Sequence, residues 1–422
     1  QLTNAMNWRP ADKLLLDDAE RWSYTACDVI AVNSYTGGVH VGQNNGYRID
    51  PGHYLVNRSI LKHPLQLPVN LRQIHGRPFV VTESAWVKPN LYESEGPMMA
   101  AAYMALTGVD TLYWFAHGEA DWARDPRRTF WHVAKDSERG YAMQKWTVAT
   151  PLTQGMWPAN ALMFRRGDLR EGEPVVTEHR MLDEVWARKK PIIGESAQFD
   201  PNRDAKDLRG AGAKTDVSRL AFLVGPVHVR LEEAREWSGP TKQVADLSRY
   251  IDGEAGLVRS NTRQIALDYK QGVLTIDAPK AKGVGGFLKG AGGAFTLDGL
   301  TIESGNDYAT VQVVSLDDQP IASSQRVLVQ VGTTARLTGW RTKPATFDVE
   351  GRQQRGEQIV LTGEPPYRVV NSDVKLTVTA RHLTQATALD PAGYPTGKVD
   401  VTRRGSQLIV QLPKDALYVV LH

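Results

Sequence analysis

The hydrophobic pattern of the chain changes character once, near residue 165, and no single regular architecture accommodates both sides. Before that point short apolar runs alternate with helical stretches: DVIAVNSY at 28–35, PFVVTES at 78–84 and VDTLYWF at 109–115. Strands spaced by helices read as parallel strands with crossover helices. One helix is well marked. Ser94 stands at the N-cap, Glu95 beside the positive helix end, Pro97 in the first turn and Gly108 past the last, with MMAAAYMALT between them. From about 255 to 422 the runs are short and alternating (RQIALDY, VLTIDAP, YATVQVVSL, RVLVQV, QIVLTG, VKLTVTA, SQLIVQL, ALYVVLH), divided by turn residues. That spacing predicts an antiparallel β-sandwich. Residues 166–254 are mixed, with a strand at PVVTE (174–178) and a polar loop after it. The expected fold class is α/β plus all-β, in three parts: 1–165, 166–254 and 255–422.

Composition narrows the function classes. The 422 residues carry 50 Lys+Arg against 47 Asp+Glu, so no basic field points to nucleic acid. No apolar run approaches the roughly 20 residues of a membrane span. The one cysteine, Cys27, excludes an internal disulfide framework and a thiolate-rich metal site. The N-terminal stretch QLTNAMNWRP has neither the basic nor the apolar region of a signal peptide. Eight of 11 tryptophans precede residue 160, a skew that suits either a large aromatic core or platforms for sugar rings.

Chemistry in parallel α/β architectures sits at the C-terminal ends of strands. Three such ends carry polar or aromatic groups here. The first gives Asn33 and Tyr35, followed by a Gly-, Asn- and His-rich loop holding His40. The second gives Glu83, with Trp86 three residues on. The third gives Trp114 and, just past it, His117. Strand alternation places Val81 and Glu83 on one side, so the carboxylate is expected to follow an interior residue to the rim. A carboxylate there is costly unless bonded or functional, and a structural ion pair is the competing role. Tyr35 is placed to donate to Glu83, while His40 and His117 are candidates for binding sugar hydroxyls.

The order CDVIAVNSY, RPFVVTESAW and GVDTLYWF resembles strands six, seven and eight of the clan A (β/α)8-barrel retaining glycoside hydrolases, the superfamily of β-galactosidases, cellulases and agarases. NAMNW at 4–8 looks like the end of strand five. The resemblance implies the C-terminal half of a TIM barrel in residues 1–165, with Glu83 as nucleophile and Tyr35 as its orienting partner. Asn33, His40, Trp86, Trp114 and His117 fall to substrate binding. It implies an oligo- or polysaccharide substrate and no cofactor or metal, with neither nucleic acid nor membrane as partner. An extracellular or periplasmic setting goes with such a substrate. The family's acid/base glutamate follows an asparagine at the end of strand four, and this chain has no Asn-Glu dipeptide. An N-terminal segment or a second chain is therefore expected to complete the barrel. Glu119 and Asp121 are weaker candidates for the acid/base. The alternative reading is a non-catalytic carbohydrate-binding or assembly protein built on the same scaffold.

Other motifs carry less. Asp200, Asn202, Asp204 and Asp207 resemble part of a calcium loop, but Ala205 and Ala211 replace its glycine and glutamate. GVGGFLKGAGG at 283–293 reads as a flexible hairpin connection.

Overall fold

A computed structural model describes residues 1–10, 12, 14–116, 143–195, 214–232 and 237–422. The molecule is mixed: a few helices, and many strands in several sheets. Three parallel strands, β1 (Ile30–Asn33), β2 (Phe79–Ser84) and β3 (Thr111–Trp114), lie in that order. The segment before them runs alongside β1. Thr3 O accepts from Val29 N at 3.1 Å and Asn7 O from Asn33 N at 2.7 Å, a constant offset that marks parallel extended chains. Helix α1 (Asp17–Tyr24) precedes β1, and α2 (Glu95–Thr107) joins β2 to β3. The 34–78 connection departs from the expected helix. It holds short strands and one 3₁₀ turn, Pro64–Gln66, because proline and glycine recur too often for a helical run.

Helix α2 is buried along nearly its whole length, as its uniformly apolar sequence requires. Gly108 closes it in the left-handed conformation at φ 75°. Ser94 makes no side-chain cap, contrary to the sequence expectation. Its hydroxyl instead pairs with Thr310 Oγ1 at 3.2 Å and donates to Thr333 O at 3.1 Å, both on the β-rich side.

The mixed region contains a second parallel pair, β4 (Val176–Met181) and β5 (Val227–Glu232), extended by Gln73–Ile74 and Lys242–Val244. A charge network buried beneath it ties the N-terminal segment to this sheet. Glu195 meets Arg9 at 2.7 Å and Arg21 at 2.6 Å, and Asp18 meets Arg72 at 2.7 Å and Arg180 at 3.0 Å. Asp17, 3.0 Å from Arg21, and Glu178, 3.3 Å from Arg180, bring the buried carboxylates to four against four arginines, the condition for burying ions at all.

The remainder is a ten-stranded antiparallel sheet facing a five-stranded one. Their inner faces share one core: Val284, Val311 and Val329 from the first meet Ile302, Leu376 and Val410 from the second. The outer face of the ten-stranded sheet packs on α2 and α3 (Trp157–Arg166), so its central strands are buried on both sides. Gln330 shows how polar residues survive there. Its amide accepts from Ala159 N at 3.1 Å, satisfying an unpaired N–H of the first turn of α3, and donates to Met156 O at 2.9 Å.

Only the later part of the glycine stretch, residues 287–293, is a connection between strands. Residues Ala281–Gly286 form β6, a buried central strand. A Cβ at Gly285 would stand 3.0 Å from Met98 Sδ, and one at Gly283 3.1 Å from Met98 Cε, so the glycines admit α2 against the sheet. A long hairpin, β7 (Arg341–Val349) and β8 (Arg352–Leu361), leaves the sandwich and adds its strands to Tyr54–Val56 and Val39–Val41. The loop after Tyr35 is thereby built into a sheet with the β-rich part.

Candidate functional site

The geometry begins with a break in register. Ile30, Ala31 and Val32 pair with Phe79, Val80 and Val81, but Asn33 pairs with Glu83, skipping Thr82. The β2–β3 pairing shifts over the same residues. This is a β-bulge, and it overturns the alternation argument. Val81 belongs with Phe79, Ile30 and Val32 in the core under α2, so regular alternation would have buried Glu83 there too. The extra residue reverses the parity and turns Glu83 to the side of Asn33. Thr82 Oγ1 donates to Asn33 Oδ1 at 2.8 Å on that side. Sequence pattern assumes an unbroken pleat and has no marker for such a bulge.

The Tyr35 hydroxyl donates to Glu83 Oε2. Tyr35 is held from behind: its ring meets Trp146 edge-on at 4.6 Å and Phe115 at 6.2 Å, in a cluster with Ala85, Val87 and Val148. Trp146 in turn donates to Gly46 O at 3.0 Å, tying in the loop that follows Tyr35. Thr36–Gly37 pair in parallel with Trp86–Val87, so both strand ends continue past the site in register. Tyr35, Glu83, Asn33 and Thr82 therefore form one fixed group. Asn33 Nδ2 makes no hydrogen bond to the described residues and stands as a spare donor in it.

The other expected residues fall elsewhere. Trp86 is only 2% exposed and donates to Glu95 Oε1 at 3.4 Å, so it offers no face to a ligand. It is a packing residue because the bend after β2 carries it beneath α2, where Gly96 leaves room for the indole. His40 is also buried, paired through Nε2 with His53 Nδ1 at 3.0 Å. Burial, then Lys145 and His53, push its pKa well below the usual value, so it is a neutral structural imidazole rather than a group presented to substrate. Burial likewise lowers Lys145 to about 7. Trp114 lies between Trp86 at 5.8 Å and Trp157 at 6.1 Å, lining a groove of about 520 Å³ with Met104, Leu112 and Phe164. His117, Glu119, Asp121 and the Asp200–Asp207 stretch lie outside the described residues.

One aromatic was passed over. Leu112 pairs with the core-facing Val81, so alternation puts Tyr113 on the opposite side, and it is 60% exposed. The signal was present in the sequence, since counting two residues back from Trp114 reaches the apolar Leu112.

Among the described residues no three His, Cys, Asp or Glu converge as a metal site would need. What the group offers chemically is a carboxylate fixed through one oxygen, with no donor on the other among the described residues, flanked by an amide donor. That suits nucleophilic attack or recognition of hydroxyl groups. No family model, curated protein or solved structure matches the chain.

Proposed function

We propose that the chain carries the nucleophile side of a retaining glycoside hydrolase acting on a β-linked glycan, related to the clan A barrel enzymes. The observation that supports this best is the Tyr35–Glu83 hydrogen bond at the ends of adjacent parallel strands, with Asn33 beside it. On this reading Thr3–Asn7 and β1–β3 are the fifth to eighth strands of a (β/α)8 barrel. Tyr35 holds Oε2, leaving Oε1 to attack the anomeric carbon. The bond to the leaving oxygen breaks as the Glu83 ester forms, and water then opens the ester with net retention. Asn33 binds a sugar hydroxyl and Tyr113, rather than Trp86, offers the ring contact. The acid/base, which retaining chemistry places about 5–5.5 Å from the nucleophile, is assigned to no described residue. It is expected on a further segment or chain.

A fluoride leaving group needs no protonation, so a 2-deoxy-2-fluoroglycosyl fluoride tests Glu83 independently of the acid/base. Mass spectrometry of the treated protein should place the glycosyl adduct on the peptide containing Glu83. The Glu83→Gln variant should fold normally and remain unlabelled. An adduct on another residue, or labelling of the variant, would refute the assignment.

A further inference from the structure

Two imidazoles meet at one edge of the mixed-region sheet, and they share no residue with the Glu83 group. His228 lies within β5, paired with Gln73 on one side and Thr177 on the other. His75 continues the Gln73–Ile74 strand by one residue. Its N–H donates to Val229 O at 3.0 Å before the chain turns away through Gly76, at φ 74°. Both side chains therefore start from backbone bonded into the same sheet, which holds them in register. His75 is exposed and His228 half-buried. Their Nδ1 atoms stand 3.5 Å apart, with the ring centres at 5.3 Å.

That separation differs from the other histidine pair. His40 Nε2 and His53 Nδ1, buried together, close to 3.0 Å, as sharing one proton between two ring nitrogens requires. His75 and His228 instead face each other through like atoms at a longer distance. Two nitrogens held about 2.0–2.1 Å from one ion lie about 3.3–3.4 Å apart at the tetrahedral angle, and about 2.9 Å apart at a right angle. The 3.5 Å spacing matches the tetrahedral case.

The surroundings narrow the ion. His179, on the neighbouring strand β4, is engaged elsewhere: its Nδ1 lies 3.4 Å from Glu232 and its ring stacks on Trp237 at 3.7 Å. Among the described residues no third His, Cys, Asp or Glu joins the pair. The remaining coordination positions therefore fall to water or to a donor from outside. Arg230 follows His228 on the same face of β5 and opposes a cation there. Nitrogen lone pairs have to outweigh that charge. This favours an ion that prefers imidazole, such as Zn²⁺, over one that prefers oxygen, such as Mg²⁺.

We propose that His75 and His228 form a two-histidine chelate for a tetrahedral divalent metal, Zn²⁺ above all, each binding through Nδ1 with its proton on Nε2. The ion fastens the Gln73–Ile74 edge to β5, and so ties the connection after β1 to the mixed region. Nothing in this assignment depends on the glycan reading of the Glu83 site.

The test is calorimetric titration of the chain with zinc chloride at neutral pH. One zinc site should be lost in His75→Gln and in His228→Gln and retained in His382→Gln, which alters an exposed histidine of the sandwich. Magnesium chloride should give no binding. Long-range ¹H–¹⁵N NMR should show zinc shifting the Nδ1 rather than the Nε2 resonances of His75 and His228. His75→Gln, at an exposed position, should unfold in urea as the native chain does when no metal is present, which separates loss of the site from loss of the fold. With zinc, the urea midpoint of the native chain should rise and that of His75→Gln should not, because the ion binds the assembled sheet. Full zinc binding in either the His75 or the His228 variant, equal loss in His382→Gln, shifts confined to Nε2, or no zinc binding by the native chain overturns the proposal.

Discussion

The Tyr35 hydroxyl is the only donor found on Glu83 among the described residues, which makes its removal informative. Tyr35→Phe keeps the ring packed on Trp146 and Phe115 and deletes one hydrogen bond to a charged group, worth about 1.5–3 kcal/mol. If that bond positions the nucleophile, single-turnover labelling by the fluorosugar should slow about 10- to 100-fold. The urea midpoint should move little, because the hydroxyl faces the site rather than the core. Equal labelling rates in the two proteins would leave Tyr35 as packing only. The sequence made this pair legible, since both residues follow apolar runs, but for a partly mistaken reason. The bulge at Thr82, not alternation, brings Glu83 round. His40 and Trp86 misled because a polar or aromatic type after a strand looks the same whether the backbone turns it outward or under a helix.

Among the elements, the sandwich strands were legible because alternation survives wherever one face is polar. The Ala281–Gly286 strand was not, because glycine lacks the side chain that carries the pattern. Its glycines differ in what they tolerate. An added Cβ at Gly283 would stand 2.6 Å from the Val311 carbonyl oxygen, fixed backbone of the neighbouring strand. At Gly285 the nearest atom is Met98 Sδ at 3.0 Å, the end of a flexible side chain. Gly283→Ala should therefore destabilise the chain by about 1–3 kcal/mol, and Gly285→Ala by clearly less. Urea unfolding of the two variants checks the order; the reverse order would mean that the sheet yields more easily than the α2 contact.

Across the whole molecule, Glu95 is where the separately read parts become one. Its carboxylate accepts from Ser59 Oγ and Ile60 N at 2.5 Å, from Tyr308 of the β-rich part at 3.0 Å, and from Trp86 at 3.4 Å. The sequence shows only an acidic residue in the first turn of a helix, because Ser59–Ile60 and Tyr308 lie 35 to 213 residues away in the chain. Burial pushes its pKa up to about 7, against the pull of those four donors. A carboxyl raised in the folded state binds its proton more tightly there than in the unfolded chain, where it titrates near 4.5. Its contribution is therefore complete below about pH 4.5 and is lost as pH rises through about 7. The span corresponds to about 3 kcal/mol, since each pKa unit is worth about 1.4. Other groups titrate in the same window, so the informative quantity is the difference between the native chain and Glu95→Gln. Stability from urea unfolding at pH 5 and pH 8 should fall more for the native chain than for Glu95→Gln, by up to that amount. The loss should appear in probes of both the helical and the sandwich parts, because the same carboxylate binds Ser59, Ile60 and Tyr308. Equal pH dependence in the two proteins would mean that the donors, rather than burial, decide the ionisation of Glu95.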